Sequence, residues 1–149
     1  MRETIAAALK HATKSQDKRR ISTLRLVSAA IKDRDIAART AGKTQATDAE
    51  LLELFAKMIK QREESQKIYA NAGRAELAKQ EGEEIEIIRE FLPKQLSNKE
   101  MEKAIAIAIA ESGASSVKDM GKVMAALKAR YAGQMDFAEA SALVKSKLS

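Results

Sequence analysis

The stretch Ser97–Ser149, SNKEMEKAIAIAIAESGASSVKDMGKVMAALKARYAGQMDFAEASALVKSKLS, decides the fold. Three times it places a short oxygen-bearing side chain three residues ahead of an acid: Ser97/Glu100, Ser116/Asp119 and Asp136/Glu139. In a capping box the first side chain accepts from an orphan N–H of the opening turn, and the acid returns to the cap's own N–H. One such cap stabilises a helix by about 0.5–2 kcal/mol. Three of them predict three helix starts, hence a three-helix tail over residues 97–149. Ala104 to Ala110 alternates Ala and Ile with a period of two and imitates a strand. The Ser97 box and the alanine content assign it to a buried helix.

The stretch just ahead, Leu92-Pro93-Lys94-Gln95-Leu96, contains the only proline. The residue before a proline is pushed out of the α region, so a boundary is expected here, with an N-terminal unit over 1–92. In that unit the spacing predicts a short helix from Glu3 to about Ala12. A second is opened by Ser15 or Asp17; Ile21, Leu24, Val27 and Ile31 recur on one face, with Arg34 or Asp35 near it. It ends near Gly42, which is free to take a left-handed cap. Thr47 and Glu50 form another capping box, opening a helix of more than twenty residues that carries Leu51, Leu52, Phe55, Met58, Ile59, Arg62 and Tyr69. Gly73 stops it. A fourth helix follows from Arg74 to about Phe91, presenting Leu77, Ile85 and Ile88. The predicted fold class is therefore all-α, a four-helix N-terminal bundle followed by a small three-helix tail. A tail of fewer than about sixty residues is marginal alone.

Composition agrees. The chain has 149 residues, one proline, six glycines and only 3% aromatics, so a core of Leu, Ile, Met and Ala in helices is expected rather than a sandwich or barrel. There are no cysteines, which excludes disulfides, thiolate metal sites and cysteine nucleophiles and fits a reducing compartment. The first residues carry no long apolar run, and the greasiest segment, residues 104–110, is far below the roughly 20 residues a membrane span needs. A soluble, cytoplasmic protein without a membrane partner is expected. The formal charge is +6, a balance that suits anionic partners. It is unevenly spread: residues before Lys43 are basic, whereas Glu76 to Glu90 is acidic.

Several words of the sequence resemble a known family. Lys118-Asp119-Met120-Gly121-Lys122-Val123-Met124, Tyr131 to Asp136 and Val144 to Leu148 resemble the helical tail shared by GatB and YqeY proteins. Thr23 to Lys32, Lys60 to Ser65, Ala72 to Ala78, Glu81/Glu84/Ile85 and Phe91 to Leu96 resemble the remaining part of the stand-alone YqeY proteins. The likeness spans nearly the whole chain. GatB is the tRNA-handling B subunit of the glutamine-dependent aspartyl/glutamyl-tRNA amidotransferase. The resemblance therefore implies a tRNA-associated accessory whose tail contacts RNA. In GatB the amide-forming chemistry resides in a separate domain that binds ATP and Mg²⁺. This chain has no counterpart to it, so the resemblance implies neither cofactor nor stand-alone catalysis.

Gly121-Lys122 lacks the spacing of a phosphate loop, since the preceding glycine is eight positions back and Val123 replaces the hydroxyl residue. Its structural reading is a close backbone approach at Gly121; its functional reading is anion binding by Lys118 and Lys122. Lys18-Arg19-Arg20 and Arg25 are either a solvated basic face or a phosphate track, because Lys18, Arg25 and Lys32 repeat every seven residues along one helical stripe. Arg25 lies between core positions Leu24 and Leu26, which gives it a second reading, a buried pair with Glu81, Glu84 or Glu86. Arg62, Arg74, Glu81 and Glu84 form the expected structural polar network, with Arg62 paired to a carboxylate. General acid–base chemistry by Glu63 or Glu81 has no nearby nucleophile, so no catalytic residue is assigned. His11, the only histidine, is no metal ligand without companions. Tyr69 and Tyr131 are too separated to stack bases.

The expected nucleic-acid-binding residues are Lys18, Arg19, Arg20 and Arg25 in front and Lys118, Lys122 and Lys128 in the tail, with tRNA as partner and amidotransferase or other translation-related proteins as further partners. Two other classes stay open. One is a helical protein–protein adaptor. The other is a carbon–nitrogen ligase subunit, with glutamine as amido-N-donor, active only beside partner subunits. The sequence sets no oligomeric state.

Overall fold

The computed structural model describes residues Met1–Ser149. The chain is all-α, with helices α1 (Arg2–Ser15), α2 (Lys18–Thr40), α3 (Asp48–Asn71), α4 (Ala75–Arg89), α5 (Asn98–Ser112), α6 (Met120–Tyr131) and α7 (Phe137–Leu148). A single 3-10 turn, Val117–Asp119, precedes α6. No helix is long and apolar enough to cross a membrane. The chain divides into two compact units, Met1–Leu92 and Pro93–Ser149.

In the first unit, α1 runs one turn further than its apolar spacing predicts, and Gln16 ends it in the left-handed conformation at φ 59°. The Asp17 side chain then caps α2 through the Arg20 N–H. Leu24, Val27 and Ile31 enter the core beside Ile5, Leu51, Phe55, Ile85 and Ile88. Fully burying one such side chain stabilises the fold by about 1.5–3 kcal/mol. Opposite charges clamp the far end of the α1–α2 hairpin. The Arg2 guanidinium meets Asp35 at 2.6 Å and donates to the Ala46 carbonyl at 2.7 Å, while Asp35 accepts from the Ala46 N–H at 2.9 Å. That explains why Asp35 tolerates a half-buried place next to the apolar face. The Arg2 hydrogen bond, and then that N–H, hold its carboxyl below the usual range.

Thr47 and Glu50 form the predicted capping box at the start of α3. At its other end Gly73 adopts φ 72°, with the Arg74 N–H bonded to the Tyr69 carbonyl and the Gly73 N–H to that of Ala70. This pattern satisfies the terminal carbonyls and turns the chain back into α4. The proximal part of this hairpin is apolar. Beyond Met58, Ile59 and Glu84 towards the turn, no residue of α3 or α4 is buried.

In the second unit, α5, α6 and α7 surround Met101, Ile105, Ala108, Val123, Leu127, Ala140 and Val144. The Ala-Ile run is helical, and its helix ends at Gly113 with φ 68°. Of the three capping boxes predicted here, only that of Ser97 and Glu100 closes in both directions. Asp136 accepts from the Ala138 N–H at 2.8 Å, without the return bond from Glu139. The Ser116 box does not form. The Asp119 carboxylate accepts from the Ser115 N–H at 3.1 Å instead, and the local chain winds into the 3-10 turn before α6. Gly121 also departs from expectation: a Cβ built there meets nothing within 4 Å. It is an exposed residue of α6's first turn, not a point of close backbone approach.

Candidate nucleic-acid interface

Helix α2 presents its core face through Leu24, Val27 and Ile31, so its opposite face is exposed, and on it lie Lys18, Arg25 and Lys32. A step of seven residues turns an α-helix through nearly two full turns and advances about 10.5 Å. The three cations therefore stand in one row, and none of them takes an ion pair. Arg25 follows a core residue in sequence, yet each residue turns the helix by 100°, enough to carry it out of the core. The pair with Glu81, Glu84 or Glu86 does not exist.

Arg19 and Arg20 differ. Arg19 reaches α4, where its Nε lies 3.2 Å from Glu83 and its Nη1 3.9 Å from Glu84. Arg20 pairs with Glu90. The densest basic word in the sequence is thus largely neutralised by the acidic stretch of α4. Such exposed pairs add little stability, about 0–1 kcal/mol each, but they cancel the local positive field.

In the tail, Lys118, Lys122 and Lys128 are exposed and take no ion pair. At 100° per residue they fall within one arc on the outer side of the 3-10 turn and α6, around Gly121, Ala125 and Ala129. Val123 and Leu127 point the other way, into the core. Arg130, at the edge of this face, is matched to Glu111 at 2.7 Å.

The polar network is partly as expected. Arg62 Nε lies 3.2 Å from Glu84 Oε2, and Arg62 also donates to the Met58 carbonyl at 3.3 Å. Gln80 donates to the other Glu84 oxygen at 3.3 Å. Glu84 retains only 7% of its surface, so these contacts replace the water it has lost. Burial, then the nearby Glu84 charge, push the Glu81 carboxyl up, against the pull of Arg62. Arg74 stands apart: it is exposed at the α3–α4 turn and makes no ion pair. Two partners were not visible in advance. Gln80 lies one helical turn from Glu84, a spacing that could have pointed to it. Gly82 lies where a Cβ would come within 2.9 Å of Gln66 Nε2, a contact between helices that only the folded hairpin reveals.

No group of three or more His, Asp or Glu side chains is arranged to hold a metal ion. His11 is exposed on α1. An open depression between α5 and α7 is lined by Asn98, Met101, Glu102, Glu139 and Leu143; its two carboxylates suit it poorly to anions. What the arrangement can do chemically is present two rows of unmatched positive charge, one in each unit. Among curated proteins, none matches the chain. The sequence profile described as Yqey-like protein matches residues 2–148. With essentially the whole chain covered, it belongs to the YqeY family.

Proposed function

We propose that this protein is a tRNA-associated accessory, with the tail as an RNA-contacting module and no amide-forming chemistry of its own. One observation carries the reading: two helical faces expose unpaired cations, Lys18, Arg25 and Lys32 on α2 and Lys118, Lys122 and Lys128 in the tail. Phosphate contacts by such groups release counterions and give affinity without base readout. The likeness of the tail to that of GatB supports tRNA as the polyanion, and translation-related proteins as its companions. Arg19 and Arg20 contribute less to this surface, since carboxylates of α4 already neutralise them.

A gel-shift titration against total tRNA, with duplex DNA as control and at two salt concentrations, tests the proposal. Salt-sensitive binding that favours tRNA supports it; no shift at low salt refutes it. Charge reversal at Lys118 and Lys122 that leaves tRNA affinity unchanged removes the tail from the interface.

A protein–protein adaptor is the second reading, favoured by the far end of the α3–α4 hairpin. There Ile68 is 66% exposed and Leu77 36%. An apolar contact at this site persists in moderate salt, whereas phosphate contacts weaken. Co-purification from cell extract then shows whether amidotransferase subunits accompany the protein.

A further inference from the structure

The exposed face of α2 points to a particular form of RNA, an inference that rests on the tRNA reading above. Lys18, Ser22, Arg25, Ala29, Lys32 and Ile36 follow one another along this face at alternating four- and three-residue steps, and all six are exposed. Between successive cations sits a small side chain, Ser22 or Ala29. The helix surface is low at those two points, and long charged side chains rise on either side of each. Two carboxylates of α2 flank the row: Asp33, and Asp35 three residues past Lys32, which Arg2 already holds at 2.6 Å.

We infer that this face binds double-helical RNA, gripping the backbone on both sides of its wide, shallow groove and reading no base sequence. Three features carry the inference. The cations are about 10.5 Å apart along the helix. That separation overspans the roughly 6 Å minor groove of B-form DNA and fits only its roughly 12 Å major groove, which presents base edges, whereas the wide A-form minor groove displays ribose 2′-hydroxyls. The Ser22 hydroxyl, in the low point between Lys18 and Arg25, donates to the Arg19 carbonyl at 3.3 Å. Its lone pairs are left to accept from a 2′-hydroxyl. Finally, the face holds no aromatic ring on which an unpaired base could stack and no Asn or Gln to read a base edge. Recognition of single strands relies on such rings.

Three unmatched cations give a finite salt dependence. At about 0.9 per neutralised phosphate, the slope of log affinity against log salt for this face is about −2.7, or roughly 40-fold between 50 and 200 mM salt. The test uses the full chain with four probes: total tRNA, an RNA stem closed by a tetraloop, the same strand made unpaired, and duplex DNA of the same sequence. The stem is expected to compete with tRNA, while the single strand and the DNA bind roughly tenfold more weakly. Lys32→Gln is expected to lower affinity for the stem about eightfold at 0.1 M salt and to reduce the slope by about 0.9. Ala29→Glu, on an exposed helical site, is expected to weaken binding at least as much with unchanged circular dichroism. Arg19→Gln, whose guanidinium already pairs with Glu83, reduces the slope by less than Lys32→Gln does. If tRNA binds but the stem binds no better than the single strand or the DNA, this inference is overturned and the tRNA reading stands. The same holds if Lys32→Gln keeps the full slope. If neither tRNA nor the stem binds at low salt, both fall.

Discussion

The two units solve the same problem, packing three or four helices around one core, with different materials. Pro93–Ser149 has a core of aliphatic side chains and methionines, and its Arg130–Glu111 ion pair is on the surface. Met1–Leu92 puts charge inside: Arg62 and Glu84 meet at the end of its apolar core, Arg2 and Asp35 close another edge, and the fully buried Thr23 hydroxyl has no partner. The difference teaches where each unit is vulnerable. The tail depends on volume, the front on matched charge.

The largest expected effect breaks that match. Arg62→Ala takes from buried Glu84 its nearer guanidinium and is expected to destabilise the front by about 3 kcal/mol, the low end for a broken buried pair, because Gln80 still donates to Glu84 and Arg19 Nη1 stays 3.9 Å away. Urea denaturation measures it. Adding Glu84→Leu should recover most of the loss; a double variant as unstable as the single one would show that Arg62 acts through packing alone. In the tail the comparable lesion is apolar, with Ile105→Ala costing about 2–5 kcal/mol.

Thr23→Val exploits the front's orphan hydroxyl. Leaving a buried polar group unsatisfied costs about 1–3 kcal/mol, so the variant should raise the urea midpoint, and a fall would mean the hydroxyl has a partner in solution. In the tail, Gly121→Ala fills open space in an exposed helical turn and should stabilise by about 0.5–1 kcal/mol, the propensity difference alone. Thermal unfolding decides it, and a loss of stability would restore the close-approach reading of this glycine.

The smallest effect sharpens the contrast through pH. Glu100 in the tail is held below the usual carboxylate range by the Ser97 N–H, and then by the Ser97 side chain. Its contribution is present above the ordinary glutamate pKa and is lost as pH falls through the lowered value. Glu81 in the front has the opposite sign. Its folded carboxyl holds its proton to higher pH than the unfolded one, so stability falls as pH rises from the ordinary glutamate value through the raised one. Glu81→Gln should remove that fall and leave the acid-side loss intact. A variant with an unchanged stability–pH profile would show that Glu81 titrates normally.

What the sequence made legible was local. The Thr47 and Ser97 boxes close within four residues, and the α2 core face follows from helical period alone. The Ser116 box failed because Asp119 had a nearer donor in Ser115, a competition the motif does not reveal. Only the second reading of Arg25, the buried pair, fails, because neighbours in sequence point to different sides of a helix. The partners of Arg19 and Arg20 lie 64 and 70 residues away, and only the approach of α4 to α2 discloses them. For the same reason the densest basic run is not the strongest part of the candidate interface. Lys32, three turns further on and without a carboxylate, is the better member.

The most direct test compares tRNA affinity for two full-length variants against the parent over a range of salt. One carries Lys18→Gln, Arg25→Gln, Lys118→Gln and Lys122→Gln; the other carries Arg19→Gln and Arg20→Gln. The account predicts that the first reduces the salt slope by about 3.6 and that the second, with circular dichroism confirming its fold, reduces it far less. Equal losses in both, or a parent protein that ignores tRNA at low salt, would contradict it.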